Sequence, residues 1–152
     1  MFPIKIVLCP TDFSDPSSEA LKIAGELASK VGARLLLVHV VPVLPALPSD
    51  PNYVLKVPEY ERLLHQDADE KLAHLAREMA KAGIQTRTMV GHGDAANEIV
   101  RIAELEKADL IVIATHGTTG WRRFVFGSVA EKVVRLAKCP VLTIRNPPEG
   151  SA

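Results

Sequence analysis

Cysteine is scarce in this chain: Cys9 and Cys139 are the only two, with no metal-ligand spacing between them. No structural zinc site is expected, and in a reducing compartment the expectation is two buried, unpaired thiols. Net charge is missing too. Eighteen basic residues balance eighteen acidic ones, so no overall field draws the chain towards nucleic acid or an anionic membrane. Long apolar runs are also absent. The start, Met1 to Cys9, has neither the charged n-region nor the apolar stretch of a signal peptide, and no segment reaches the ~20 apolar residues of a membrane span. These absences predict a cytoplasmic protein with no membrane and no nucleic-acid partner.

Two well-known nucleotide signatures are lacking as well. No G-x-x-x-x-G-K-[ST] occurs, and Gly91-His92-Gly93-Asp94-Ala95-Ala96-Asn97 begins like a dinucleotide fingerprint but has Asn97 where the third glycine belongs. Nor is there a clear catalytic constellation, which would need a base near pH 7, an activated nucleophile or a well-ligated metal. The histidines are scattered. His65 and His74 read as surface residues of one helix and His39 as a packing residue at a strand end. His92 and His116 fall on loops where a ligand could sit. No catalytic residue is assigned.

What is present is an alternation of strand and helix signals. Segments 4–9, 35–41, 110–114 and 141–144, with a weaker one at 84–90, are rich in β-branched residues and leucine. Such near-continuous apolar runs suit strands buried on both faces. Between them, Ala20, Ala24, Leu27, Ala28 and Val31 share one helical face, with Asp15-Pro16 as cap and first-turn proline and Gly32 as the stop. Leu64, Ala68, Leu72, Leu75, Ala76 and Met79 stripe a second helix over 59–82, closed by Gly83. A third helix spans 95–107 behind Asp94, and a fourth starts at Ser128, where Ser128-Val129-Ala130-Glu131 has the form of a capping box.

The order βαβαβαβαβ predicts an α/β fold: a single open five-stranded parallel sheet, doubly wound, with helices on both faces. A chain of 152 residues suits one core, burying about 70% of its unfolded surface. The expected domain is 1–146, followed by a flexible tail at 147–152. Segment 42–58 holds five prolines and reads as an irregular insertion after the second strand, either a surface connector or a lid.

In open α/β sheets ligands sit beyond the carboxyl ends of the strands, at the switch in strand order. Cys9-Pro10-Thr11-Asp12-Phe13-Ser14 puts a hydroxyl and a carboxylate there. Thr115-His116-Gly117-Thr118-Thr119-Gly120 leads through Trp121 to Phe126 into Gly127-Ser128. A glycine loop feeding a helix N-terminus offers free N–H groups and the positive end of the helix dipole to a phosphate. The same glycines would also serve as plain turns, and Ser128 as a plain cap. The run Trp121-Arg122-Arg123-Phe124 reads as a solvated loop, or as one that covers a ligand or meets a partner.

These loops carry a family pattern. Pro10-Thr11-Asp12-Phe13-Ser14, His39-Val40, Thr115-His116-Gly117, Gly127-Ser128-Val129 and Cys139-Pro140-Val141-Leu142-Thr143-Ile144 together resemble the universal stress protein family over 4–145. The resemblance implies strand order 3-2-1-4-5, which puts a strand between Cys9 and Cys139 and keeps them beyond disulfide reach.

It also implies binding of ATP, or of AMP or ADP, with Mg²⁺, as a stress-response or regulatory switch without efficient turnover. ATP-binding members carry G-x-x-G, nine residues, then G-[ST]. Here Ala114 stands at the first glycine while Gly117, Gly127 and Ser128 match. Carried over, Gly117, Gly127, Ser128 and Val129 would hold phosphates, Val40 would meet adenine, and Thr11 and Asp12 would lie near the ribose, the triphosphate and the metal. Pro10, Thr115 and His116 would complete the site. Asp12 equally fits a helix-flanking carboxylate. The resemblance further implies a homodimer through 141–144 and an unidentified protein partner. Ala114 keeps open a nucleotide-free interaction module, and a weak ATPase or adenylyl-transferring enzyme is a further alternative.

Overall fold

Five short apolar runs pair into one sheet in a computed structural model that describes residues 3–44, 51–116 and 127–145, the side chains of 51–56 excepted. The strands are β1 (Ile6–Pro10), β2 (Arg34–Val41), β3 (Thr86–His92), β4 (Leu110–Ala114) and β5 (Val141–Ile144). Every pairing is parallel and the order is β3-β2-β1-β4-β5. The helices are α1 (Asp15–Val31), α2 (Pro51–Lys81), α3 (Ala95–Leu105) and α4 (Ser128–Leu136). This is the doubly wound parallel sheet expected from the sequence.

Because successive side chains of a strand point to opposite faces, each strand feeds two cores. Val7, Cys9, Leu35, Leu37, Leu110 and Val112 pack with Leu21, Ala24 and Ala28 of α1 and Leu72 of α2. Leu8, Leu36, Val38, Ile111 and Ile113 pack on the other face with Ile99 and Ile102 of α3 and Ala130 and Val133 of α4. Both faces are covered, which is why the runs read as continuously apolar. The chain runs outward from β1 to β2 and β3, then returns to place β4 on the other flank of β1. The carboxyl ends of β1 and β4 therefore form the topological switch point.

Several local expectations are corrected. Segment 42–58 is not wholly irregular: α2 begins at Pro51 and carries Pro58 inside it, rather than starting near Glu59. Pro51 suits a first turn, where its missing N–H costs nothing, and Pro58 forfeits one ladder bond without ending the helix. The cap of α1 is Ser14 rather than Asp15, its side chain accepting from the Ser17 N–H, while the stop at Gly32 adopts the left-handed φ of 71°. Asp94 caps α3 as expected, accepting from the Asn97 N–H, but that helix ends at Leu105. The capping box at Ser128 does not form. The cap residue of α4 is Gly127, with no side-chain cap bond, because Gly127 is tied by its own N–H to Thr115. Cys9 is buried as expected, whereas Cys139 is only half-buried, and both are free thiols.

The tail at 147–152, residues 45–50 of the proline-rich segment and the loop 118–126 with its Trp121-Arg122-Arg123-Phe124 run lie outside the described residues. Among the described residues no helix is long and apolar enough to cross a membrane.

Candidate functional site

β1 ends at Pro10, and the Thr11 N–H donates to the Val38 carbonyl at 2.8 Å, so the turn leaves the sheet directly beside β2. Thr11 is buried, and its hydroxyl oxygen accepts from the Phe13 N–H at 3.0 Å and lies 3.1 Å from the Ser17 hydroxyl. Asp12 Oδ1 accepts from the Ser14 N–H at 3.0 Å and from the Ser14 hydroxyl. Asp12 thus braces the turn into α1, the helix-flanking role that its position also allowed.

Phe13 takes a φ of 64°, a left-handed conformation that a bulky residue holds only when its surroundings dictate it. Its ring lies 4.5 Å from the His39 ring, and the Lys71 ammonium stands 5.3 Å from its centroid. His39 in turn places Nδ1 2.7 Å from the Thr11 carbonyl oxygen.

Across the switch point, β4 ends at Ala114, and the Thr115 N–H donates to the Ile144 carbonyl at 3.0 Å. The Thr115 hydroxyl meets His116 Nδ1 at 2.9 Å. His116 Nε2 is buried and has no hydrogen-bond partner among the described residues, an arrangement that costs about 1–3 kcal/mol unless something supplies the partner. The chain re-enters at Gly127, whose N–H donates to the Thr115 carbonyl at 2.6 Å. Among the described residues no side chain caps α4, whose first amides carry the positive end of the helix dipole.

These segments enclose a cavity of about 250 Å³. Pro10, Thr11, Asp12, Val40, Ala114, Thr115, His116, Gly127, Ser128 and Val129 all line it. Gly117, the remaining residue singled out in the sequence, lies outside the described residues. Ser17, Val38, His39, Ala95, Ile99, Ile113 and Ala130 line the cavity as well and were not foreseen. Val38 was within reach of sequence reasoning, since it shares a strand face with Val40. The small residues Ser17, Ala95 and Ala130, in the opening turns of three helices, carry no such signal.

The walls divide by chemistry. Val38, Val40, Ile99 and Ile113 make an apolar side suited to a flat, uncharged group, and the first turn of α4 makes a polar end suited to an anion. Nearby, Asp94 joins α3 to α4 by accepting from Lys132 Nζ at 3.1 Å. The Asn97 N–H, and after it Lys132, hold its carboxyl below the usual aspartate range.

His92 does not line the cavity. Its Nε2 lies 3.9 Å from Glu61 Oε1 on α2, and His65 pairs with Asp69 at 3.5 Å. Among the described residues no group of three or more His, Cys, Asp or Glu side chains could hold a metal ion.

A profile of the Universal stress protein family matches residues 3–145. A universal stress protein of Methanocaldococcus jannaschii is 39% identical over 145 residues, covering 94% of this chain and 83% of its own. Among solved structures, universal stress protein UspA from Lactobacillus plantarum superposes with a TM-score of 0.83 at 25% identity, covering 93% of this chain and 98% of its own. A universal stress protein in complex with cAMP superposes with a TM-score of 0.65 at 25% identity, covering 93% and 96%.

Proposed function

The chain belongs to the universal stress protein family, and from that premise we propose that it binds an adenine nucleotide at the carboxyl edge of its sheet and acts as a regulatory switch without efficient turnover. The observation that carries the reading is the cavity itself. One wall is apolar and the other is the amide end of α4, which no side chain caps among the described residues, the two kinds of surface that a base and a phosphate require. The cAMP complex of a relative supports an adenine nucleotide as the ligand class.

In this reading Val40, with Val38, Ile99 and Ile113, receives the adenine. Thr11 and Asp12 flank the ribose, and Gly127, Ser128 and Val129 take the phosphates together with Gly117. ATP, ADP and AMP are all candidates. Asp12 is the one carboxylate lining the cavity among the described residues. Mg²⁺ would therefore be held mainly by the phosphates and its own waters.

Occupancy would change the surface offered to a protein partner. β5 is a sheet edge in the described chain, and an apolar edge is a natural place for a second copy to pair.

The test is calorimetric titration of nucleotide-stripped protein with Mg-ATP, ADP, AMP and cAMP, after a denaturing extract has been checked for co-purified nucleotide. Micromolar binding that weakens in Ser128→Ala is expected. No binding together with an empty extract overturns the reading and favours the nucleotide-free interaction module that Ala114 leaves open.

A further inference from the structure

Two residues other than glycine take a positive φ among the described residues, Phe13 at 64° and Lys107 at 55°. Lys107 follows the end of α3, where a left-handed residue is an ordinary way to stop a helix. Phe13 has no such reason. It stands before Ser14, the cap of α1, and an aromatic residue holds that backbone only where its neighbours over-determine it. They do so from the face of the sheet that the cavity does not occupy. Phe13 packs on the core that α1 and α2 share, whereas Val38, Val40, Ile99 and Ile113 of the cavity belong to the core of α3 and α4. Its ring lies 4.5 Å from that of His39, and Lys71 Nζ of α2, paired with Asp67 at 2.8 Å, stands 5.3 Å over it in a cation–π contact.

The same turn reaches the cavity, because Thr11 and Asp12 line it. The Phe13 N–H donates to Thr11 Oγ1 at 3.0 Å, and the Ser14 N–H donates to Asp12 Oδ1 at 3.0 Å. Rotation about the Phe13 N–Cα bond to a negative φ would carry the Ser14 amide away from the carboxylate it holds. We propose that Phe13 is a positioning residue of the cavity: anchored beneath α1 and α2, its ring imposes the left-handed turn that sets Thr11 and Asp12 in the cavity wall. The inference rests on the adenine-nucleotide reading above and goes beyond it, by placing part of the control of affinity on the opposite face of the sheet. A ligand that needs the turn binds with an affinity scaled by the fraction of molecules that hold it.

The experiment titrates nucleotide-stripped wild type, Phe13→Ala and Phe13→Gly with AMP by calorimetry, beside thermal denaturation of each. Alanine loses the ring and keeps the penalty on a positive φ. Glycine loses the ring and drops the penalty. Both should lower Tm, so affinity is what separates them. Phe13→Ala should bind AMP about five- to thirtyfold more weakly than the wild type, the range set by the left-handed penalty of one residue. Phe13→Gly should recover most of that loss, an order that packing alone does not produce, since both variants lack the same ring.

Equal affinity of the two variants, or weaker binding by Phe13→Gly, overturns the role of Phe13 and leaves nucleotide binding by the wild type intact. A wild type that does not bind AMP overturns both readings. Should either variant fail to fold, hydrogen exchange of the free wild type decides. The Phe13 amide, bonded to Thr11 Oγ1, should exchange far more slowly than in an unstructured chain, and exchange at the unstructured rate overturns the proposal.

Discussion

The Gly127 N–H donates to the Thr115 carbonyl at 2.6 Å, and a Cβ built on Gly127 would stand 2.7 Å from that same oxygen. The glycine therefore has a reason that precedes any ligand. It lets the chain return to the end of β4 closely enough to start α4 over the cavity, and any side chain there meets backbone that cannot step aside. Gly127→Ala should destabilise the protein by about 1–3 kcal/mol, which at this size lowers Tm by about 3–10 °C. Thermal denaturation followed by circular dichroism checks this, and the loss should be present with or without nucleotide.

Ser128→Ala separates ligand from fold. Since Gly127 and not Ser128 caps α4, removing the hydroxyl should change stability by no more than about 0.5 kcal/mol. Affinity for AMP or ATP should fall about two- to tenfold if the hydroxyl meets a phosphate. A large drop in Tm with unchanged affinity would contradict both parts.

Ala114 ends β4, paired with Ile144, and is 9% exposed where it lines the cavity. Ala114→Gly removes the methyl that stands at the first glycine of the pattern G-x-x-G, nine residues, G-[ST]. It should cost roughly 0.5–1 kcal/mol of stability through backbone entropy and tighten nucleotide binding. Titration of both proteins with Mg-ATP measures the difference, and equal affinity would show that the methyl does not obstruct the ligand.

Asp94 carries a pH-dependent part of the stability. Its carboxyl is held below the usual range, first by the Asn97 N–H and then by Lys132. A pKa lowered in the folded state contributes stability above the ordinary aspartate value of about 3.9, and that stability is lost as pH falls through the lower folded value. Asparagine caps a helix as well as aspartate does but cannot titrate. In Asp94→Asn the fall of Tm between pH 5 and pH 2.5 should be shallower, with little change at pH 7. Glu98, lowered chiefly by Arg101, keeps the slope from vanishing.

Burial pushes the Cys9 thiol up to about 12 and, with Cys139 half-buried and also raised chiefly by burial, the two should react at different stages. A thiol-specific reagent at pH 8 should modify Cys139 slowly in the folded protein. Cys9 should become reactive only on unfolding, because the thiolate is the reacting species. Mass spectrometry of the labelled protein assigns the sites.

Much of the fold was legible because its signals are local. Apolar runs at 110–114 and 141–144 coincide with β4 and β5, and the stripe from Ala20 to Val31 with its Gly32 stop delimits α1. The failures were local too. Prolines at 51 and 58 read as breakers, although proline's fixed φ is compatible with a helix and only its missing N–H is not. Ser128 read as a cap because the capping-box pattern does not register a preceding glycine held by another segment.

The amino-acid sequence by itself determined which segments are strands and helices, and which loops stand at the carboxyl ends, since periodicity and caps are written within a few residues of one another. Only the tertiary structure decided that the Thr115 carbonyl meets the Gly127 amide, that His39 turns Nδ1 to Thr11 across 28 positions, and that His116 buries a nitrogen without a partner among the described residues. Those relations depend on strand order and register, and β1 comes to lie between β2 and β4 only when both cores close at once.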